Sequence, residues 1–502
     1  MTTSFYWLLG GFIAFTHPSC NIRKLLLYFG FFLGLVCVFL FCFYHLSYDE
    51  LKSFDEARHG VSAYEMLQTG EPIVTTYAYS PDYWNLKPPL SEWLIALGYK
   101  LFGYNALGIR FYSAFSIFLA ALLCALYLWK RHNALASIFC LFLFPTFGGL
   151  FSYHGARAAD ADSLFILFYV AAVLCMCKSR DMFRWVYIAC LCFALAFLTK
   201  SFHAGLIAIF VLCALLCLGH FNTMRLTQYL LCAFCSLFPV GCWGLARYLK
   251  DGTSFLIPMF AQDVVNRSAN AIEGHSGSWR YYFSVIFRYN DNNSILLLFL
   301  LCLVFIGFIL YFQKESRPLP SFLSSDFFLF ALGILIPLII FTIAKTKLIN
   351  YIYCVYPLMA LIASVSLSVI LKYFPRSVKI VITTICFVLT LFVVQKNFRT
   401  IIPVSDQHDY SLQTLLLNSE IHSGDCVYIA HDFESYGAGY DWTQAQVMEA
   451  EWLTDCVPQF GGIDAFEANS HSYLIVSNSL TENLSSYEVI CKTDSYSILY
   501  NP

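Results

Sequence analysis

Residues 53–90 carry the side chains of this sequence that are best suited to chemistry. The stretch contains Asp55, Glu56, Arg58 and Lys87 and follows an apolar run long enough to cross a bilayer. An aspartate in the first turn of a helix is favoured in its ionised form, which is the state that a general base needs. Each of these residues also has a purely structural alternative. Asp55 could only complement the helix dipole, Glu56 could only cap the helix, and Arg58 could pair with a neighbouring acid.

The local pattern predicts a short helix in this stretch. Ser53 and Glu56 have the S-x-x-E spacing of a capping box, which would start the helix at about Phe54. Gly70 would end it. One face of the helix is apolar and would lie on lipid or on other helices: Ala57, Val61 and Tyr64.

Lys87 stands directly before Pro88 and Pro89, so its backbone is held extended. A lysine held this way at a membrane surface is placed to bind a lipid phosphate. The alternative is a snorkelling interfacial lysine.

A second polar cluster, YHGARAADADSL, lies between two apolar runs. It holds His154, Arg157, Asp160 and Asp162 within nine positions. We favour Asp162 as the aspartate that points into a site, with Asp160 next. The alternative is a set of salt bridges between Arg157 and these acids at a helix end.

Composition indicates a polytopic helical membrane protein. Of the 502 residues, 59% are hydrophobic and only 12% are charged, against about a quarter charged in soluble proteins. The apolar runs predict about eleven spans: 24–46, 107–129, 134–152, 161–177, 185–199, 204–219, 227–248, 293–312, 327–344, 351–371 and 378–395.

Charge distribution predicts the orientation of these spans. With a cytoplasmic N-terminus, every predicted inside connection is basic. Both acidic clusters then lie on the outer face, where charges that break the bias have functional reasons. We predict an interfacial N-terminal segment 1–23, a transmembrane domain 24–395, and a small extracytoplasmic α/β domain 396–502, whose strands are β-branched and aromatic.

Three further polar segments are expected on the outer face. LTKSFHAG contains Lys200; QDVVNRSANAIEGHSGSWRYYF contains Arg267, His275, Tyr281 and Tyr282; KTKLINYIYCVYP contains Lys345, Lys347 and Tyr351. The alternative for the two lysines of the last segment is the basic collar of a helix end. No cofactor is assigned, and a divalent metal bound by Glu56 and His275 stays open beside a hydrogen-bonded loop histidine.

The motifs D-E-x-R, K-P-P-L, HxARxxDxD, E-G-H-x-G-x-W-x-Y-Y and K-L-x-x-Y occur in this order between residues 24 and 360. Together they resemble the membrane-embedded GT-C glycosyltransferases, in particular protein O-mannosyltransferases and the lipid A aminoarabinose transferase. Ser201 departs from this pattern, because the family has glycine after the T-K pair.

The resemblance implies roles for individual residues. Asp55 would be the base of an inverting transfer, and Lys87 would contact the carrier phosphate. An acid of the second cluster, Asp160 or Asp162, would position the acceptor. Contacts to the carrier lipid or its phosphate would come from Arg267, Tyr281, Tyr282, Lys345 and Lys347.

The sequence therefore predicts an inner-membrane glycosyltransferase that takes a sugar from a polyprenyl phosphate. Nucleotide sugars are cytosolic, so an outward-facing site needs a lipid-carried donor. The acceptor would be a lipid, such as lipid A, or a protein, and no nucleic-acid partner is expected. The alternatives are a lipid-linked glycan polymerase, a polytopic transporter and a non-catalytic scaffold, although a transporter would need ionisable residues in mid-span.

Overall fold

The fold is an α-helical bundle with a small sheet domain at one end, as seen in a computed structural model of the chain. The structure describes residues 22–266, 275–289, 294–314, 322–430 and 443–502. Within these ranges, nine helical stretches are long and apolar enough to cross a membrane, and the apolar helix at Ala134–Thr146 is shorter. One of the nine, the 34-residue stretch Arg184–Cys217, combines two predicted spans. With the shorter helix, these stretches account for the predicted spans, so the polytopic helical fold is confirmed.

The long helices of the bundle follow the predicted apolar runs. They are α1 (Ile22–Phe43), α4 (Ala106–Arg131), α5 (Ala134–Leu143), α6 (Ala161–Ser179), α7 (Arg184–Lys200), α8 (Gly205–Cys217), α9 (Leu226–Asp251), α12 (Ser294–Lys314), α13 (Asp326–Ile343), α14 (Val355–Tyr373) and α15 (Arg376–Ile401). The buried faces of all of them except α9 contribute to one apolar core, and Trp243 of α9 belongs to a separate cluster.

Shorter elements cover one end of the bundle, which we call the site end. They are α2 (Asp55–Thr69), β1 (Thr76–Tyr77), β2 (Ser80–Pro81), α3 (Leu90–Phe102), α10 (Leu256–Phe260) and α11 (Tyr281–Ser284). The α3 and α4 backbones touch, because a Cβ atom on Gly98 would lie 2.1 Å from the Gly108 carbonyl oxygen. Only glycine fits there, and the contact holds the C-terminal half of α3 against the start of α4.

Helix α2 ends as predicted but begins differently. Gly70 adopts a left-handed conformation (φ 71°) and donates its N–H to Met66. The predicted capping box is wrong, because no side chain caps this helix. Ser53 Oγ instead accepts from Ala445 N–H, and Glu56 accepts from Lys52 N–H. Ser53 is thus diverted by the C-terminal region, and Glu56 by Arg110 and by the backbone just before the helix.

The C-terminal region forms a mixed five-stranded sheet with strand order β4-β3-β5-β7-β6. Its strands are β3 (Cys426–Ala430), β4 (Val457–Gln459), β5 (Ser472–Ser477), β6 (Glu488–Lys492) and β7 (Tyr496–Asn501), and its helices are α16 (Ser411–Leu417), α17 (Gln444–Thr454) and α18 (Gly462–Ala468). Strands β4, β3 and β5 are parallel, and β7 is antiparallel to β5 and β6. The predicted small α/β region is confirmed, although α15 continues to Ile401 before it begins.

This domain packs on α2 through α17. Tyr64 donates a hydrogen bond to Asp455, and Phe54 N–H donates to Gln444 Oε1 at 3.1 Å. Gly60 faces Met448 so closely that an added Cβ would lie 2.4 Å from its sulfur. The face of α2 predicted to lie on lipid or on helices is buried, partly by this domain.

Candidate functional site

An ammonium group lies beside two carboxylates at the site end. Lys87 Nζ is 3.7 Å from Asp55 Oδ1 and 4.0 Å from Asp160 Oδ1. Asp55 is the first residue of α2, Asp160 directly precedes α6, and Lys87 lies just before α3. Three separate elements therefore bring one cation and two acids together.

His154 completes this group. Its Nδ1 hydrogen-bonds Asp160 Oδ2, while Asp160 Oδ1 has no hydrogen-bond partner among the described residues. Burial by itself would raise the pKa of Asp160, but Lys87 and His154 outweigh it and hold that pKa well below its usual range. Burial would lower the pKa of His154, and the charge of Asp160 raises it instead. Asp160 is thus an ionised anchor for neighbouring positive charge.

Glu56 fixes the distance between the two acidic elements. Arg110 binds both of its oxygens, Nε to Oε1 at 2.7 Å and Nη2 to Oε2 at 2.9 Å. Glu56 Oε1 also accepts from the Ala159 N–H at 3.1 Å. Burial would raise the pKa of Glu56, but Arg110 outweighs it and lowers that pKa. Because Ala159 adjoins Asp160, this contact holds Asp160 against the start of α2.

Asp162 belongs to a second buried group. Lys200 Nζ lies 2.5 Å from Asp162 Oδ1, and Asn350 donates to Oδ2 at 2.8 Å. The ring of Tyr351 lies 5.8 Å from the Lys200 ammonium. Both aspartates of the D-x-D pair are buried, but it is Asp160 that the structure brings to Asp55.

Two of the three predicted arginines, Arg58 and Arg157, are held in ion pairs. Arg58 donates to both oxygens of Asp82, at 2.7 and 2.9 Å, and lies over the rings of Tyr77 and Trp84. Arg157 pairs with Asp49 at 3.1 Å and donates to two backbone carbonyls at the end of α1. Its carboxylate partner is therefore outside its own cluster.

The third predicted segment lies at the end of α13. Lys347 Nζ donates to the Phe341, Thr342 and Ala344 carbonyls at 2.8–3.0 Å, as a helix-end lysine does. Burial, with the neighbouring Lys345, lowers the pKa of Lys347.

Three other predicted residues, His275, Tyr281 and Tyr282, lie near this lysine. The Lys347 N–H donates to the carbonyl of His275 at 3.0 Å, and the Tyr282 ring lies 5.7 Å from its ammonium. Tyr281 packs edge-on against Tyr282. Arg267 lies outside the described residues.

Asp55, His154 and Asp160 are the described residues whose ligand atoms are grouped as a metal site would need, all within 4.8 Å of one another. Two carboxylates and an imidazole suit a divalent cation. The Lys87 ammonium lies beside both carboxylates, however, and offers them a positive charge without a metal. Glu56, predicted as a ligand, is instead committed to Arg110.

Sequence reasoning missed Arg110, Asp82 and Asn350. Arg110 offered a signal, because it is a single cation within the apolar run of α4 and such charges have partners. Asp82 and Asn350 offered none, since their partners lie in other elements.

The chain is similar to known transferases in sequence. The family of dolichyl-phosphate-mannose-protein mannosyltransferases matches residues 86–243. The undecaprenyl phosphate-alpha-4-amino-4-deoxy-L-arabinose arabinosyl transferase of Pseudomonas savastanoi pv. phaseolicola is 28% identical over 325 residues, 62% of this chain and 56% of the relative. The corresponding protein of Photorhabdus laumondii is 26% identical over 328 residues, 62% of this chain and 54% of the relative. The match thus spans less than two thirds of each relative.

Solved structures share the fold of this chain. ArnT from Cupriavidus metallidurans bound to undecaprenyl phosphate superposes with a TM-score of 0.67 at 13% identity, covering 96% of this chain and 98% of that one. The archaeal oligosaccharyltransferase AglB from Archaeoglobus fulgidus, in complex with an inhibitory peptide and a dolichol-phosphate, gives 0.52 at 10% identity, covering 91% and 70%. As its sequence motifs predicted, the chain has the GT-C fold, and its architecture is similar to that of ArnT.

Proposed function

We propose that this protein is a membrane glycosyltransferase that moves a sugar from a polyprenyl phosphate to an acceptor on the outer face of the inner membrane. The observation that carries the proposal is the position of Lys87 beside Asp55 and Asp160, at 3.7 and 4.0 Å. An ammonium can bind the phosphate that leaves, and an adjacent carboxylate can take the proton of the group that attacks.

The transfer balances with these groups alone. The acceptor oxygen forms a bond to the anomeric carbon of the sugar while the bond from that carbon to the phosphate oxygen breaks. Asp55 takes the acceptor's proton as general base, and the leaving phosphate keeps the electron pair. Lys87 stabilises that developing charge. Attack opposite to the leaving phosphate inverts the anomeric carbon.

Asp160 would orient rather than react. With its pKa held low, it stays ionised and keeps the charge of Lys87 at the reaction centre. His154 donates to it from the other side. The second group, Asp162 and Lys200, lies on α6 and α7 and would line the acceptor side, as the resemblance carried by HxARxxDxD implies.

The position of the site at one end of the bundle supports a lipid-linked donor. The opposite end carries the basic residues that mark a cytoplasmic face, among them Lys130, Arg131, Lys178, Arg180, Lys372 and Arg376. Sugar nucleotides do not reach the outer face, whereas polyprenyl phosphates do. The names of the similar proteins, which include undecaprenyl phosphate and dolichol-phosphate, favour the same donor class.

Two other functions, a glycan polymerase and a transporter, explain these observations less well. A glycan polymerase would also need an outer lipid-phosphate site, and would differ in adding many sugars to one product. A transporter would place ionisable groups along a path through the bilayer, whereas the grouped acids and bases described above lie at one end.

Purified protein in lipid nanodiscs tests the proposal. It is incubated with undecaprenyl-phosphate-linked sugars of several types and an envelope lipid extract, and the products are measured by mass spectrometry. We expect free undecaprenyl phosphate and one product carrying a single added sugar. Products with sugar ladders would indicate a polymerase, and donors that stay intact with every acceptor would contradict the proposal.

A further inference from the structure

A buried histidine and a buried glutamate lie behind the reaction centre. His59 is on α2, one turn after Asp55, and Glu92 is in the first turn of α3, after Lys87 and its prolines. Both side chains are fully buried, at 1% and 0% exposure. The proposed chemistry uses neither of them.

His59 holds the backbone beside Asp160. Its Nδ1 lies 2.9 Å from the Ala159 carbonyl oxygen. A carbonyl only accepts, so Nδ1 carries the hydrogen. The same Ala159 donates its N–H to Glu56. Helix α2 therefore binds both polar atoms of the residue that precedes Asp160.

Glu92 holds the segment that carries Lys87. Its Oε1 accepts from Asn85 Nδ2 at 3.4 Å, and its Oε2 accepts from Ser91 Oγ at 3.1 Å. Asn85 and Ser91 lie on either side of Lys87 in the sequence. The Glu92 carboxylate thus links the two ends of the short segment that contains Lys87.

The two side chains face each other. His59 Nε2 is 3.9 Å from Glu92 Oε1, and this nitrogen has no hydrogen-bond partner among the described residues. A buried polar atom without a partner costs free energy. Because the Nδ1 hydrogen is already donated to Ala159, Nε2 is the ring atom that is left to face the Glu92 carboxylate.

We propose that His59 and Glu92 form a positioning pair that sets where Lys87 lies relative to Asp55 and Asp160. The inference rests on the proposed function, because it assigns the pair to the lysine that would bind the donor phosphate. His59 ties the Asp160 turn to α2, Glu92 ties the Lys87 segment to α3, and their mutual contact joins the two. Neither side chain touches the substrate in this role.

Binding of undecaprenyl phosphate to the full-length protein in nanodiscs tests the pair through a double-mutant cycle. Glu92→Gln, Lys87→Ala and their combination are compared, with thermal midpoints measured for each. We expect Glu92→Gln to weaken binding about tenfold in the wild-type background and less than about twofold when Lys87 is alanine. If Glu92 acted only on stability, Glu92→Gln would weaken binding by the same factor in the wild type and in Lys87→Ala.

Two further variants keep the test sharp. His59→Asn retains a hydrogen-bond donor for the Ala159 carbonyl but removes the Nε2 atom that faces Glu92. It should therefore weaken binding of undecaprenyl phosphate as Glu92→Gln does. It also provides the test if Glu92→Gln does not fold. Glu71→Gln is the control, since Glu71 pairs with Lys250 at 2.6 Å on the same side of the bundle, and it should bind normally.

The outcomes separate the two ideas. Additive losses, or normal binding by both Glu92→Gln and His59→Asn, would overturn the positioning pair alone. If the wild type does not bind undecaprenyl phosphate, the proposed function and the pair are both overturned. The same follows if the Lys87→Ala variant binds it as tightly as the wild type does.

Discussion

The Nζ atom of Lys87 lies 3.7 Å from the Oδ1 atom of Asp55, and the two residues enter the site from the starts of different helices. Asp55 begins α2, and Lys87 precedes the two prolines before α3. The proposed base and the proposed phosphate-binding cation are thus adjacent.

Replacing Lys87 should weaken carrier binding without unfolding the protein. Charge-assisted hydrogen bonds are worth about 1.5–3 kcal/mol, so Lys87→Gln should lower affinity for undecaprenyl phosphate by about ten- to a hundredfold. Lys87→Arg should retain part of it. Lys100→Gln, on the exposed side of α3, is the matched control. Equal affinity in Lys87→Gln and the control would show that another cation binds the phosphate.

Breaking the Glu56–Arg110 pair should destabilise the site end. Both partners are about 1% exposed, and removing one partner of a buried pair costs about 3–5 kcal/mol. Arg110→Met should therefore lower the thermal midpoint markedly, whereas Arg131→Met should not, because Arg131 and Asp181 form an exposed pair. A midpoint unchanged by Arg110→Met would mean that Glu56 does not depend on this arginine.

The Glu56 pair also predicts loss of stability in acid. The pKa of Glu56 is lowered in the folded protein. Its contribution is therefore complete above the ordinary glutamate pKa of 4.5 and is lost as pH falls through the lower folded value. Thermal midpoints of Glu56→Gln should vary less with pH than those of the wild type below pH 4.5. Parallel curves would argue against the pair as the source.

Packing of α17 should weaken as pH rises. Burial, opposed by the Gln413 hydrogen bond and assisted by Glu50, raises the pKa of Glu449 to about 7. Burial also raises the pKa of Glu65 and Glu451, whose side chains interact across the α2–α17 contact. The packed state then binds more protons than the exposed state between the ordinary value of 4.5 and about 7. Its stability is greatest below that window and falls through it.

Hydrogen exchange of α17 at several pH values, corrected for intrinsic rates, measures this effect. Protection should fall between pH 5 and pH 8, and Glu449→Gln should flatten the change. Glu467→Gln, a carboxyl change on α18 of the same domain, should leave it as in the wild type. Protection that is constant across the range would contradict the assignment.

Much of the fold follows from local pattern. Long apolar runs predict helices wherever they occur, and the glycine at position 70 ended α2 as expected because only the local backbone decides that turn. The sequence also predicts that both acidic clusters lie at one end, because successive spans cross the membrane in opposite directions and bring every second connection to the same side.

The pairings inside the site do not follow from local pattern. Ser53 and Glu56 have the spacing of a capping box, yet tertiary partners, Ala445 and Arg110, compete successfully for them. Asp160 rather than Asp162 reaches Asp55, because the two aspartates lie on either side of the first residue of α6 and point into different groups. Such choices depend on packing between elements distant in the sequence.

Complementation of a deletion strain tests the central claim most directly. Strains carrying no gene, the wild type or Asp55→Asn are compared by mass spectrometry of extracted lipid A, envelope glycolipids and glycoproteins, with protein levels checked in the membrane. The account predicts a sugar mass that is present with the wild type and absent with Asp55→Asn and with no gene. A sugar mass restored equally by Asp55→Asn would contradict Asp55 as the base, and no mass difference between the wild type and the deletion would contradict sugar transfer itself.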